Sequence, residues 1–173
     1  AQINPHFLYN TLDTIIWMAE AQKTEQVIEI VSALSSFFRL SLSKGKDWIT
    51  IGEELERTRS YLTIQKMRYR DILDFKIEAD EEVLNNTILK LILQPLVENA
   101  LYHGIKNKRG GGTIVVRARP KNDNEDLLEV EDVEAAVALL DLLPRDRRRA
   151  VGAGLLEVLH QRGRLLHDLG AAG

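Results

Sequence analysis

His6 stands in the opening stretch AQINPHFLYN, directly after Asn4 and Pro5 and four residues before Asn10. Proline's fixed φ and missing N–H suit the first helical position and asparagine suits the N-cap, so the imidazole is placed at a helix entrance. A neutral imidazole there is exposed and poised near physiological pH, able to act as nucleophile, base or ligand. The positive end of the helix favours an incoming anion such as a phosphoryl group. Asn10, one turn later, shares the face and could orient the ring. Taken alone, a histidine at a helix start is more often a solvated or capping residue.

A second group lies in QPLVENALYHGIKNKRGGG. On a helix Asn99 and His103 share a face at a spacing of four, and Lys106 follows just beyond. An amide oxygen is a hard neutral ligand suited to Mg²⁺, whose other positions are filled by water and substrate phosphates. His103 and Lys106 would add donors and positive charge for those phosphates. Glu98 points nearly a third of a turn away, where it could hold a water or a ring edge. The plainer alternative is an amphipathic helix with Leu96, Val97, Ala100 and Leu101 in the core. Asp132 ends LLEVED, where a period of two puts Leu128, Val130 and Asp132 on one face. A carboxylate there can accept from an adenine amino group, or can be an ordinary turn aspartate. Gly152 and Gly154 precede a helical pattern, as a backbone phosphate cradle does, although two glycines often mark only a turn.

These residues need elements to hold them. Leu8, Leu12, Ile15, Ile16 and Ala19 recur at helical spacing. So do Val27, Ile30, Val31, Leu34, Phe37 or Phe38, and Ser41. A polar turn near Gln22–Thr24 joins the two into a helical hairpin that cannot bury both faces alone, which implies a partner surface. Gly45 is a plausible stop. A third helix is expected from about Glu53, with Leu55, Leu62 and Met67 on its apolar side. Glu53, Glu54, Glu56, Arg57 and Arg59 read as its solvated face, and Trp17 and Trp48 as packing anchors. DFKIEAD alternates like a half-buried strand. A long helix is expected through ILKLILQPLVENALYHG, opened or kinked at Pro95 and stopped at Gly104. GGGTIVVRAR and EDLLEVED then read as two strands joined by PKNDN, which gives an α/β layer beside the hairpin.

Composition bounds the possibilities. The 173 residues are 45% hydrophobic and 28% charged, with a net charge of −3, which describes a globular chain with no general attraction for nucleic acid or anionic membrane. The basic cluster Arg145–Arg149 reads as a solvated loop rather than a nucleic-acid contact. The absence of cysteine excludes disulfides, thiolate catalysis and cysteine zinc sites. No run of about 18 apolar residues occurs. With no initiator Met and a pattern already under way at residue 1, the chain reads as a piece of a longer protein. After Val133 the composition shifts abruptly to Ala, Val, Leu, Gly, Asp, Glu, His and Arg, in a stretch that favours helix.

QINPHFLYNTLDTI, EELERTRSYLTIQKMRY and ILQPLVENALYHGI, in this order, resemble the cytoplasmic core of the LytS-like group of bacterial sensor histidine kinases, from Gln2 to about Asp132. The resemblance implies an α+β chain: a dimerising, histidine-bearing helical hairpin (residues 1–70), then an α/β sandwich of the gyrase, chaperone and histidine-kinase ATPase type (71–173), incomplete at its C-terminal end. It implies His6 as phosphoacceptor with Glu98 beside the chemistry. It implies Asn99 as magnesium ligand, with His103, Gly104, Lys106, Asp132, Gly152 and Gly154 around the nucleotide. ATP and Mg²⁺ would be required, a response regulator would receive the phosphoryl group, and the chain would be the cytoplasmic portion of an inner-membrane sensor. The sequence departs from the family after Asp132, where DVEAAVALL replaces the glycine loop and Glu157 an expected asparagine. The alternative is a non-catalytic dimerisation and phosphotransfer scaffold with a degenerate nucleotide site.

Overall fold

The computed structural model describes residues 4–42, 47–70, 72–105, 110–123, 125–132 and 136–144. Two helices, α1 (Pro5–Glu20) and α2 (Thr24–Ser41), come first and pack on each other. Asn4 caps α1, its Oδ1 accepting the His6 N–H at 3.0 Å, and Pro5 occupies the first turn as expected. Gln22, at φ 57°, turns the chain between the helices.

Strand β1 (Trp48–Thr50) leads directly into α3 (Ile51–Arg68). Thr50 and Glu53 form a reciprocal capping box there, with bonds of 3.1 and 2.9 Å, so α3 starts two residues earlier than its apolar pattern implies. The N–H groups of Ile51 and Gly52 bond to the carbonyls of Asn86 and Leu84. Helix α3 is buried over most of its surface, with Glu53, Glu56, Arg59 and Lys66 left exposed along one side. It packs on α2, α1, β1 and the strand β2 (Leu73–Ala79).

A turn of 3₁₀ helix (Glu81–Val83) and strand β3 (Thr87–Leu89) follow, then α4 (Gln94–Asn99) and a π-helical continuation (Ala100–Ile105). This corrects the expected long helix. Ile88 pairs with Ile49 in a small antiparallel sheet, and helix begins only at Gln94, with Pro95 in its first turn. The helical segment ends at Ile105, one residue beyond the expected stop at Gly104.

The main sheet has strand order β2-β4-β5-β6, with β4 spanning Gly112–Asn122, β5 Glu125–Asp132 and β6 Ala136–Pro144. The first pair is parallel and the others antiparallel, so the chain is α+β with a mixed sheet. The π-helical segment packs on β4 and β5, and α3 on β2. Ile114, Val116, Ala118, Leu128 and Val130 enter the same core as Leu55, Leu62, Leu93, Val97 and Leu101. Full burial of each such aliphatic side chain contributes roughly 1.5–3 kcal/mol. Arg117, flanked by Glu78 and Glu131, ties β2, β4 and β5 by charge, and these neighbours hold its guanidinium more firmly protonated than usual. Strand β6 corrects the helical expectation for the stretch after Val133: pairing along the edge of β5 outweighs alanine and leucine helix propensity.

Candidate functional site

The site is built on three elements, beginning with α1. The imidazole of His6 is exposed, on a first turn whose His6 N–H is already taken by Asn4. The next residue, Phe7, is buried, its ring 5.2 Å from that of Phe37 on α2 and 5.1 Å from that of Tyr61 on α3. His6 is thereby anchored through its neighbour. Asn10 is half-buried one turn on. With Asp13, Thr14 and Trp17 it lines an open groove of about 570 Å³ whose other wall runs from Met67 to Arg70 and Ile72.

Tyr61 links this region to α4. It is buried, and burial, reinforced by the negative charge of Glu98, pushes its phenol well above the ordinary tyrosine range. The start of α4 is joined to α3 by the Arg57–Gln94 hydrogen bond, one turn before Tyr61. Glu98 is half-buried, and its Oε1 accepts from Gln94 Nε2 at 2.8 Å. Asn99 is exposed at the end of α4. Its carboxamide has no partner among the described residues, so its oxygen is open to a hard cation.

Sequence reasoning missed a charged pair that is fully buried among the described residues. Glu54 and Arg57 are both fully buried and paired, with Arg57 Nη2 and Nε donating to Glu54 Oε1 and Oε2 at 2.7 and 3.0 Å. They are not a solvated face. Glu54 also accepts from the N–H groups of Leu93 and Leu91, at 3.0 and 3.2 Å, in the loop leading into α4. Leu91 has φ 69°, a left-handed conformation that costs a leucine energy, and the Glu54 bond helps to hold it. Arg57 Nη1 donates to Gln94 Oε1 at 2.8 Å. A signal was present in the sequence: Glu54, Thr58, Tyr61 and Gln65 recur at helical spacing beside Leu55 and Leu62, away from the side that Glu53, Glu56, Arg59 and Lys66 expose.

Other expected residues are placed in part. His103 and Gly104 lie in the π-helical segment, whose backbone bonding runs five residues apart rather than four. Asp132 is the last residue of β5, in register with Ile114 and Ala136. Gly45, Lys106, Arg145–Arg149, Gly152 and Gly154 fall outside the described residues. Trp17 is half exposed rather than a packing anchor, with Lys23 and Arg70 each 4.8 Å from its ring. Among the described residues no cluster of three metal-ligating side chains occurs, and no helix is long and apolar enough to cross a membrane.

Comparison with known proteins matches residues 1–73 to the histidine kinase family. The sensor histidine kinase YesM of Bacillus subtilis is 45% identical over 106 residues, covering 61% of this chain and 18% of YesM. The sensor histidine kinase BtsS of Escherichia coli is 36% identical over 132 residues, covering 76% of this chain and 23% of BtsS. The chain thus spans about a fifth of the length of these sensors. The Bacillus subtilis protein YwpD is 36% identical over 157 residues, covering 88% of this chain and 56% of YwpD, so that likeness runs on beyond Asp132. Residues 1–73, which carry His6, thus match the histidine kinase family, and the chain is similar to sensor histidine kinases of the LytS-like type.

Proposed function

We propose that this chain is the phosphoacceptor and nucleotide-binding core of a two-component sensor, which phosphorylates His6 from ATP and passes the group to an aspartate of a response regulator. The observation that carries this reading is the exposed His6 imidazole, seated through Phe7 on Tyr61, the same residue on which Glu98 acts from α4. One ring nitrogen attacks the γ-phosphorus. The N–P bond forms as the bond to the β-phosphate oxygen breaks, ADP leaves, and the proton on the other ring nitrogen is taken up by Glu98. Catalysis of this kind depends on positioning and charge stabilisation. Asn99 would hold Mg²⁺, which neutralises phosphate charge when bound. His103 and Lys106 would meet the phosphates, Asp132 the adenine, and Gly104, Gly152 and Gly154 would let backbone approach the nucleotide.

Residues 1–70 would carry the acceptor helices and dimerise, and 71–173 would form the nucleotide-binding sandwich. The molecule would be the cytoplasmic part of a bacterial inner-membrane sensor, attached through segments outside this chain. A second reading has a specific support: β6 pairs along β5 from Ala136 onward, and the sequence after Asp132 has Glu134 and Ala136 where the related kinases are expected to have glycines. On that reading the chain is a dimerisation and phosphotransfer scaffold with a degenerate nucleotide site.

One experiment separates the two. With γ-labelled Mg-ATP the kinase acquires an acid-labile, base-stable label that His6→Gln abolishes, and Mg-ATP raises its melting temperature by mass action. A melting temperature indifferent to Mg-ATP supports the scaffold. Label that persists in His6→Gln removes His6 from the acceptor role.

A further inference from the structure

The buried pair on α3 makes contacts that reach the proposed chemistry. Taking two charges out of water is expensive, and such a pair persists only when its remaining hydrogen-bonding capacity is met. Here both Glu54 oxygens are committed, to Arg57 and to the backbone N–H groups of Leu91 and Leu93. Arg57 has one nitrogen, Nη1, directed outside the pair, and it donates to Gln94 Oε1 at 2.8 Å. A carboxamide has one acceptor end and one donor end, and a guanidinium cannot accept. With its oxygen held by Arg57, the Gln94 NH₂ must face the other way, and it meets Glu98 Oε1 at 2.8 Å. On its opposite side the Arg57 guanidinium lies 5.9 Å from the centre of the Phe37 ring, which in turn packs on Phe7, next to His6.

We infer that Arg57 and Gln94 are positioning residues for phosphorylation of His6: Arg57 fixes which way the Gln94 amide points, and Gln94 fixes the carboxylate of Glu98 on α4. The same guanidinium rests against the hairpin through Phe37, so the placement of Glu98 is coupled to the seating of α1 and α2 on α3. This rests on the reading of His6 as acceptor and Glu98 as its ring partner.

The test is a double-substitution cycle on the whole chain, followed as the rate of label transfer from γ-labelled Mg-ATP to His6 over hours. Gln94→Leu keeps bulk and leaves the two Glu54–Arg57 bonds in place, while taking the acceptor from Arg57 Nη1. The rate at saturating ATP is expected to fall roughly tenfold to a hundredfold, the scale of a misplaced reacting group. The half-saturating ATP concentration should stay at its wild-type value, while the melting temperature should fall because the buried Arg57 Nη1 loses its acceptor. Added to Glu98→Gln, Gln94→Leu should cost nothing further, because residues acting as one unit are not additive. Arg57→Lys, which keeps the charge but loses the fork, should share the slow rate in proportion to its effect on Gln94. A Gln94→Leu chain as fast as wild type overturns the inference. So do proportionate losses in both backgrounds, or a slow rate accompanied by weaker ATP saturation. A wild-type chain that takes no label at His6 overturns the acceptor reading and this inference with it, whereas a labelled wild type with additive losses overturns the inference alone.

Discussion

Tyr61 is a phenol held in its neutral form by its surroundings, first by burial and then by the charge of Glu98. Its value in the folded chain lies above that in the unfolded chain, which is about 10. The stability it contributes is therefore complete below pH 10 and is lost as the pH rises beyond that toward the folded value. A spectrophotometric titration at 295 nm should show one tyrosine ionising only as the protein unfolds. Tyr61→Phe should remove that late component and flatten the alkaline fall in stability; an unchanged titration would refute the assignment. At this scale the sequence was legible where chemistry is local. Asn4 and Pro5 announced a capped helix because capping involves only neighbours in the chain. Glu54 and Arg57 were misread because their burial depends on Leu91, Leu93 and Gln94, some 37 to 39 residues away for the bonds they make.

At the scale of elements, alternating patterns translated directly into β2, β4 and β5, since one face of each meets helices and the other carries charge. Short pieces did not translate. Thr87–Leu89 is apolar enough to pass for helix, and only its antiparallel pairing with Trp48–Thr50 makes it a strand. Strand β6 likewise takes its identity from the edge of β5. The start of β4 is set by Gly111, at φ 71°, where an added Cβ would sit 2.5 Å from the carbonyl oxygen of Ile72. The following N–H, that of Gly112, bonds to that same oxygen at 2.9 Å, so the two chains must come this close for β2 and β4 to align. Gly111→Ala combines a strained φ with a backbone clash and should cost at least about 2 kcal/mol. Urea unfolding measures this, and a midpoint within error of wild type would contradict it.

At the scale of the molecule, the hairpin presents two faces with different fates. Phe7, Thr11, Met18, Ile30, Phe37 and Ser41 are buried within the chain. Leu12 and Ile16 on α1, with Ile28 and Val31 on α2, are left 43–61% exposed. The helical pattern in the sequence put Leu12 and Ile16 on the apolar stripe of α1 without Phe7, Thr11 or Met18, and grouped Val31 with Ile30 and Phe37 on α2, because a periodicity cannot say which neighbour covers which side. An apolar face left uncovered on adjacent helices supports pairing with a second copy. Ile16→Glu should then halve the mass found by sedimentation equilibrium while leaving the helical circular dichroism in place; a wild-type chain already sedimenting as a monomer would rule that arrangement out.

The indole of Trp17, caught between Lys23 and Arg70, has a use of its own. Arg70 comes from beyond the end of α3 and also grips Gln26 on α2 at 2.6 Å, so any swing of the first two helices away from the rest must pull a cation off the ring. With only one other tryptophan in the sequence, at position 48, the protein carries its own fluorescent gauge of that motion, readable without dye or label.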